Sequence, residues 1–226
     1  MNGVTEGALY RLLSWMSPAY PIGGFSYSHG LEWAVEAGLV GTAEQLRAWV
    51  ATILGEGSGR VDATLFAAAF RAERDEELDA VAELGAALRG TRELALESAQ
   101  QGAAFLVITR AAWPHPRLEA FAERHGGEAP LPVAVGLAAA AHGVPLEPAL
   151  TAYLHAFGSG LVSAGIRLIP LGQTDGQRIV AALEPIIVDA VRRARETPLD
   201  RIGAATPGVD LSSMQHETQH TRLFRS

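Results

Sequence analysis

Residues 216–220 read His-Glu-Thr-Gln-His. Two histidines four positions apart can present both imidazoles to Zn²⁺ from one helix face, while the glutamate between them activates a water. Such a centre needs a third protein ligand. The residues that follow, Thr221-Arg222-Leu223-Phe224-Arg225-Ser226, contain no His, Asp or Glu. The pattern also lies beyond a stretch carrying Pro198, Gly203, Pro207 and Gly208, whereas a catalytic metal needs rigidly supported ligands. A zinc metalloprotease built on His216, Glu217 and His220 is therefore an alternative reading and not the leading one.

Other candidate chemistry is sparse. The chain has no Cys, which removes thiol nucleophiles, disulfides and cysteine-ligated metals. All 18 basic residues are Arg, so a phosphate-loop lysine and Schiff-base chemistry are excluded. Gly23-Gly24…Gly30 follows no strand and fits no phosphate loop. Gly24-Phe25-Ser26-Tyr27-Ser28 misses the last glycine of a nucleophile elbow. His29 and Glu32, three apart, could share a metal, but a histidine at a helix start reads first as a solvated or hydrogen-bonded side chain. His142 and His155 read as core histidines, and His115 and His125 as loop residues. No nucleophile–base pair emerges, so no catalytic or metal-ligating residue is assigned. Net charge is −7 over 226 residues, which argues against nucleic acid as a partner.

The elements that must position these residues are helical almost throughout. Helices are expected near 6–16, 26–37, 42–55, 61–74, 76–89, 91–112, 116–125, 133–142 and 147–168. An apolar stripe (Ile179, Leu183, Ile186, Ile187, Ala190, Ala194) marks another, kinked or restarted at Pro185. Ser26 reads as the N-cap of the second helix, Thr42 as the start of a capping box, and Thr174 or Asp175 as the cap after Pro170-Leu171-Gly172. Gly158, Ser159, Gly160, Ala164 and Gly165 allow close helix approach. The uncharged runs 129–146 and 148–166 are rich in Ala and Gly and carry prolines or polar residues, so they read as buried helices and not as membrane spans. The expected fold is all-α: one compact domain of about ten helices over residues 1–196, then a Pro/Gly linker and a short docking tail over 197–226. An N-terminus with Glu6 and no basic start does not read as a secretory signal, which suggests a cytoplasmic chain.

Three segments together resemble one family. SPAYPIGGFSYSHGLEWAVE (17–36), RLIPLGQTDGQRIV (167–180) and SSMQHETQHTRLFRS (212–226) are similar to the N-terminal, second and C-terminal signatures of the urease accessory protein UreF; ESAQQG (97–102) is a weaker fourth. The resemblance implies an all-α, typically dimeric, non-enzymatic chaperone of nickel-centre assembly. It implies binding to UreD (also called UreH) and recruitment of the GTPase UreG, with GTP-dependent nickel delivery to apo-urease. Nickel and GTP are then handled by the partner complex, with no cofactor bound directly and neither nucleic acid nor membrane as a partner. The family commonly has Tyr and Ser where this chain has His220 and Thr221, and often Gln where it has His29. A helical adaptor for another metalloenzyme is a further alternative.

The expected partner-binding residues lie in three places. Tyr20, Pro21, Gly23, Gly24, Phe25, Ser26 and Tyr27 form a Gly-hinged turn, with Phe25 and Tyr27 exposed, followed by Glu32. Gln173, Asp175 and Gln177 form a polar surface at a helix break. In the tail, His216, Glu217, Arg222, Leu223, Phe224 and Arg225 combine an aromatic anchor with arginines, the composition of an interface hot spot. Glu217 is expected to make a hydrogen bond or ion pair. Such a tail could order on a partner, or pack back onto its own core.

Overall fold

A computed structural model describes residues 3–226. Among these residues there are eleven α-helices and two short 3-10 turns, with no strand. The helices are α1 (Glu6–Trp15), α2 (Leu31–Glu36), α3 (Ala43–Glu56), α4 (Ser58–Arg71), α5 (Asp75–Ala87), α6 (Arg92–Ala112), α7 (Pro116–Arg124), α8 (Leu131–Ala141), α9 (Leu146–Leu168), α10 (Gln173–Glu196) and α11 (Pro207–His216). The all-α architecture is as expected.

The centre is built on α4 and α8. Helix α8 (LPVAVGLAAAA) has no polar face, and a helix apolar all round must be enclosed. It lies against α4 and α6, while α9 and α10 pair with each other and with α3. Small residues set how closely these helices approach. A Cβ on Gly102 of α6 would lie 1.9 Å from the Ala129 carbonyl oxygen, a backbone atom that no rotamer change can move. Gly102→Ala should therefore push α6 away from the start of α8 and lower stability by about 3 kcal/mol or more, read as a fall in Tm.

Helix starts follow from local chemistry. The hydroxyls of Thr5, Thr42 and Thr91 each accept a first-turn N–H, and Gln45 returns the contact by accepting the Gly41 N–H at 2.9 Å. Helix α9 has the length and hydropathy to cross a membrane, but half of its most apolar stretch is buried against neighbouring helices.

Three local expectations need correction. Ser26 does not cap a helix starting there: Gly24–Ser26 is a 3-10 turn, and α2 starts at Leu31 after Gly30. Pro185 does not restart α10, which runs unbroken from Gln173 to Glu196. It lies on the exposed face with Ala181, the residue whose carbonyl loses its helical donor, so water can supply the missing bond. The cap of α10 is Gly172, whose N–H donates to the Asp175 carboxylate at 3.3 Å; neither Thr174 nor Asp175 occupies that position. Beyond Thr197 the chain still has structure: the Ala205 N–H donates to the Glu56 carbonyl at 3.1 Å, and α11 packs on α2 and α6.

Candidate functional site

The turn over 20–27 begins the site. Tyr20 and Tyr27 are buried, so the expectation that Tyr27 is exposed is corrected. The Tyr20 hydroxyl shares a 2.8 Å hydrogen bond with Thr109, and the Tyr27 hydroxyl donates to Gln100. Both anchors are on α6, so the turn is pinned at each end. Between them Pro21 and Phe25 face solvent, Phe25 at 74% exposure, and Gly23 takes the left-handed backbone (φ 74°) that reverses the chain.

Two left-handed residues follow, His29 (φ 58°) and Gly30 (φ 77°). A Cβ on Gly30 would lie 2.8 Å from the Ser213 N, so α11 can lie against this point because the side chain is absent. Left-handed backbone costs a β-carbon residue energy, and His29 is held there by both ring nitrogens. Nδ1 lies 3.3 Å from the Glu97 carboxylate and Nε2 lies 2.7 Å from the Ser58 hydroxyl. His29 is buried and does not meet Glu32, which removes the shared-metal reading of that pair.

Glu32 instead turns to the C-terminal segment. One oxygen accepts the Leu223 N–H at 2.6 Å; the other accepts the Phe224 N–H at 2.9 Å and lies 3.0 Å from His216 Nε2. The opposite ring nitrogen of His216, Nδ1, lies 2.7 Å from Glu93, which also accepts from Arg222 at 3.0 Å. His216 is fully buried with both nitrogens engaged, whereas His220 is exposed and outside α11. The two histidines of HETQH therefore do not share a helix face, and the zinc-protease geometry is not formed. Glu217 closes α11, where its N–H donates to the Gln215 carbonyl, but its carboxylate makes no hydrogen bond or ion pair among the described residues, contrary to expectation; the paired acids are Glu32, Glu93 and Glu97.

The chain then bends at Leu223 and Phe224, which turns both their N–H groups onto Glu32, and settles in a cleft. The Arg225 N–H donates to the Ser26 carbonyl at 2.8 Å, the Ser28 N–H and hydroxyl both donate to the Ser226 main-chain oxygen, and the Ser226 hydroxyl donates to Glu97 at 2.8 Å. Phe224 is buried beneath the Arg167 guanidinium, 4.2 Å from its ring centre, and Arg167 also donates to the Phe25 carbonyl at 2.8 Å. The tail is thus folded on its own core, with Phe224 buried there. Leu223, Arg222 and Arg225 remain exposed, and the Arg225 bond to Ser26 brings the end of the tail to the turn that carries Phe25.

Beneath this layer lies a cavity of about 280 Å³, with Tyr27, His29, Glu97 and Phe157 in its walls. Its floor holds a buried ion pair, Arg89 and Asp62, at 2.8 Å and out of line for a good hydrogen bond. Tyr153 donates to the other Asp62 oxygen at 2.8 Å. Burial and the adjacent Asp62 charge hold the Tyr153 phenol well above its ordinary range, so it stays a donor. Burial disfavours ionised Glu97, but His29, Ser226 and Arg89 outweigh it and hold that carboxyl below the usual range. A carboxylate depressed in the folded state stabilises the fold above its ordinary pKa, about 4.3, and loses that contribution as pH falls through the folded value. Tm should drop on acidification below that point, and Glu97→Gln should flatten that part of the profile.

Not every expected residue joins the site. The Gln173 and Gln177 side chains are exposed on α10 and have no hydrogen-bond partner among the described residues, and Asp175 pairs with Gly172 and Arg178. His155, expected in the core, is exposed. His115 and His125 bracket α7, and His125 meets Asp79 at 2.7 Å. Arg89, Asp62, Tyr153 and Glu93 carry no motif and emerge only from the packing; Arg167 opens the family-like segment 167–180, but its contact with Phe224 is visible only in the fold. Among the described residues no group of three or more His, Asp or Glu is arranged to hold a metal ion.

Comparison with known proteins gives concordant results. The family model described as UreF matches residues 40–184. A protein of Bradyrhizobium sp. (strain ORS 278) named urease accessory protein UreF is 55% identical, with 100% of this chain and 95% of that protein covered. Proteins of the same name from Granulibacter bethesdensis and Rhodopseudomonas palustris (strain BisB18) are 53% and 52% identical, over 98% and 100% of this chain and 95% of each relative.

Proposed function

Because the chain belongs to the UreF family of urease accessory proteins, with a role in urease maturation, we propose that it is a non-catalytic scaffold in nickel insertion. On this reading it binds UreD (UreH), and the pair recruits UreG, whose GTP hydrolysis drives nickel into apo-urease. The scaffold works in the cytoplasm as a homodimer, and nickel and GTP reside with the partner complex. The absence of lysine fits this division, since the phosphate-binding lysine then belongs to UreG.

One observation carries the reading furthest. Segments 17–36, 97–102, 167–180 and 212–226 meet on one face through Arg167, which touches both Phe25 and Phe224, and through Glu97, which touches both His29 and Ser226. The buried parts of these segments hold the face rigid. The exposed parts, Phe25, Leu223, Arg222 and Arg225, give it an apolar centre edged by arginine, the composition of a recognition surface. Rigid anchors beneath exposed apolar side chains lower the entropy cost of docking.

The test is co-purification of the three proteins, together with urease activation in a strain lacking this chain. Phe25→Asp combined with Leu223→Asp should leave Tm nearly unchanged, because both side chains are solvent-facing, yet reduce complex yield and urease activation at least tenfold. Normal complex formation by the double variant would remove this face from the interface. Failure of the unaltered chain to restore activation would instead favour an adaptor for another metalloenzyme.

A further inference from the structure

Residues 222–226 are held as a bound peptide is held. Seven main-chain or hydroxyl contacts fix the segment: the Leu223 and Phe224 N–H groups to Glu32, the Arg225 N–H to the Ser26 carbonyl, the Ser28 N–H and hydroxyl to the Ser226 main-chain oxygen, the His29 N–H to the Ser226 hydroxyl, and that hydroxyl to Glu97. One aromatic pocket, closed by Arg167, takes Phe224, and one acid, Glu93, takes Arg222. The receptor side is built independently of the segment. Glu97 is oriented by His29, Glu93 and Glu32 are oriented by His216, and Ser28 accepts the Glu32 N–H at 3.2 Å. Its three carboxylates are each at most 8% exposed, so each needs a donor whenever the chain is folded.

The connection to this segment is slight. Thr218, His220 and Thr221 are exposed, and among the described residues the stretch 217–221 holds to the rest of the fold mainly through Gln219 and Glu36. We propose that this cleft is a peptide-binding site in its own right, and that it accepts the Arg222–Ser226 segment of a second copy as well as its own. Its ligand class is a peptide bent so that two adjacent N–H groups face one carboxylate, with a buried aromatic and flanking arginines. The cis segment wins in an isolated chain because its short tether keeps its effective concentration near the millimolar range. Weakening the cis segment, or crowding copies together, moves the balance to exchange. The site does not depend on which partner covers its rim.

A fluorescent synthetic peptide of residues 217–226 tests this by anisotropy. The unaltered chain, its cleft filled, should bind the peptide weakly. Full-length Phe224→Asp, whose own segment can no longer fill the aromatic pocket, should bind it at least tenfold more tightly. Adding Glu32→Gln to that variant should abolish the gain, and a scrambled peptide should bind neither chain. A second form guards against misfolding of the variant: the full chain with a protease site in place of 218–221, cut after folding and checked by circular dichroism. Excess peptide should displace its severed tail. Equal binding by Phe224→Asp and the unaltered chain, or a severed tail that does not exchange, overturns the proposal.

Discussion

Glu32→Ala is expected to release residues 222–226 and to cost the protein about 3–5 kcal/mol, the range for removing one partner of a buried charged cluster. Three groups lose their acceptor at once: the N–H of Leu223, the N–H of Phe224, and Nε2 of His216. His216 is fully buried and cannot find water in place of the carboxylate. For a chain of this size the loss corresponds to a Tm lower by roughly 10 °C. Limited proteolysis separates local from global failure. Early cleavage after Arg222 or Arg225, with a core fragment that persists, is the expected pattern. A tail as protected as in the unaltered chain would show that Glu32 is not its anchor. Glu32→Gln should have a smaller effect, because the amide oxygen still accepts one N–H while its NH₂ faces another donor.

Asp62→Ala should have a comparable effect by a different route. Burial works against the charged Arg89 guanidinium and Asp62 outweighs it; the change removes that support while the guanidinium stays enclosed, and it strips Tyr153 of its acceptor. About 3–5 kcal/mol is again expected, measured by denaturant unfolding. Pairing the change with Arg89→Met should restore most of the loss, since an apolar side chain of similar length removes the stranded charge. If the double variant is no more stable than Asp62→Ala alone, Arg89 is supported by groups other than Asp62. Because the pair lies under the cavity and away from the rim, the double variant should also retain partner binding, which tests whether this network is structural alone.

Helix positions were largely legible in the sequence because they follow from local rules. Thr42 and Thr91 announce helix starts, and Pro114 and Gly143 announce ends. Helix α11 was missed: it is one short, weakly amphipathic stretch beginning at Pro207 among residues typical of a linker, and contacts with α2 and α6 hold it. The tail was half legible. Its composition marked Leu223 and Phe224 as apolar anchors, but nothing in residue type says that one points out and the other in. That choice is made by Glu32 and Arg167, which lie 192 and 57 positions away. The Arg89–Asp62–Tyr153 network was invisible for the same reason: Asp62 and Tyr153 are 91 positions apart and belong to no motif. Glu97 gave a weak signal through its resemblance to a family segment, while its burial beside His29 came only from packing.

The bond from Ser28 to Ser226 joins positions 198 apart. A polypeptide emerges from the ribosome N-terminus first, and contacts this distant in sequence form late and slowly. The segment around Ser28 is therefore among the earliest made and among the last completed. Until Ser226 arrives, Glu97, Glu32 and Ser28 lack donors or acceptors they hold in the finished fold. Closure of the cleft over Glu32 and Glu97 is thus tied to synthesis of residues 222–226, so nascent copies that lack them should show these acids and Ser28 more open to solvent in hydrogen exchange.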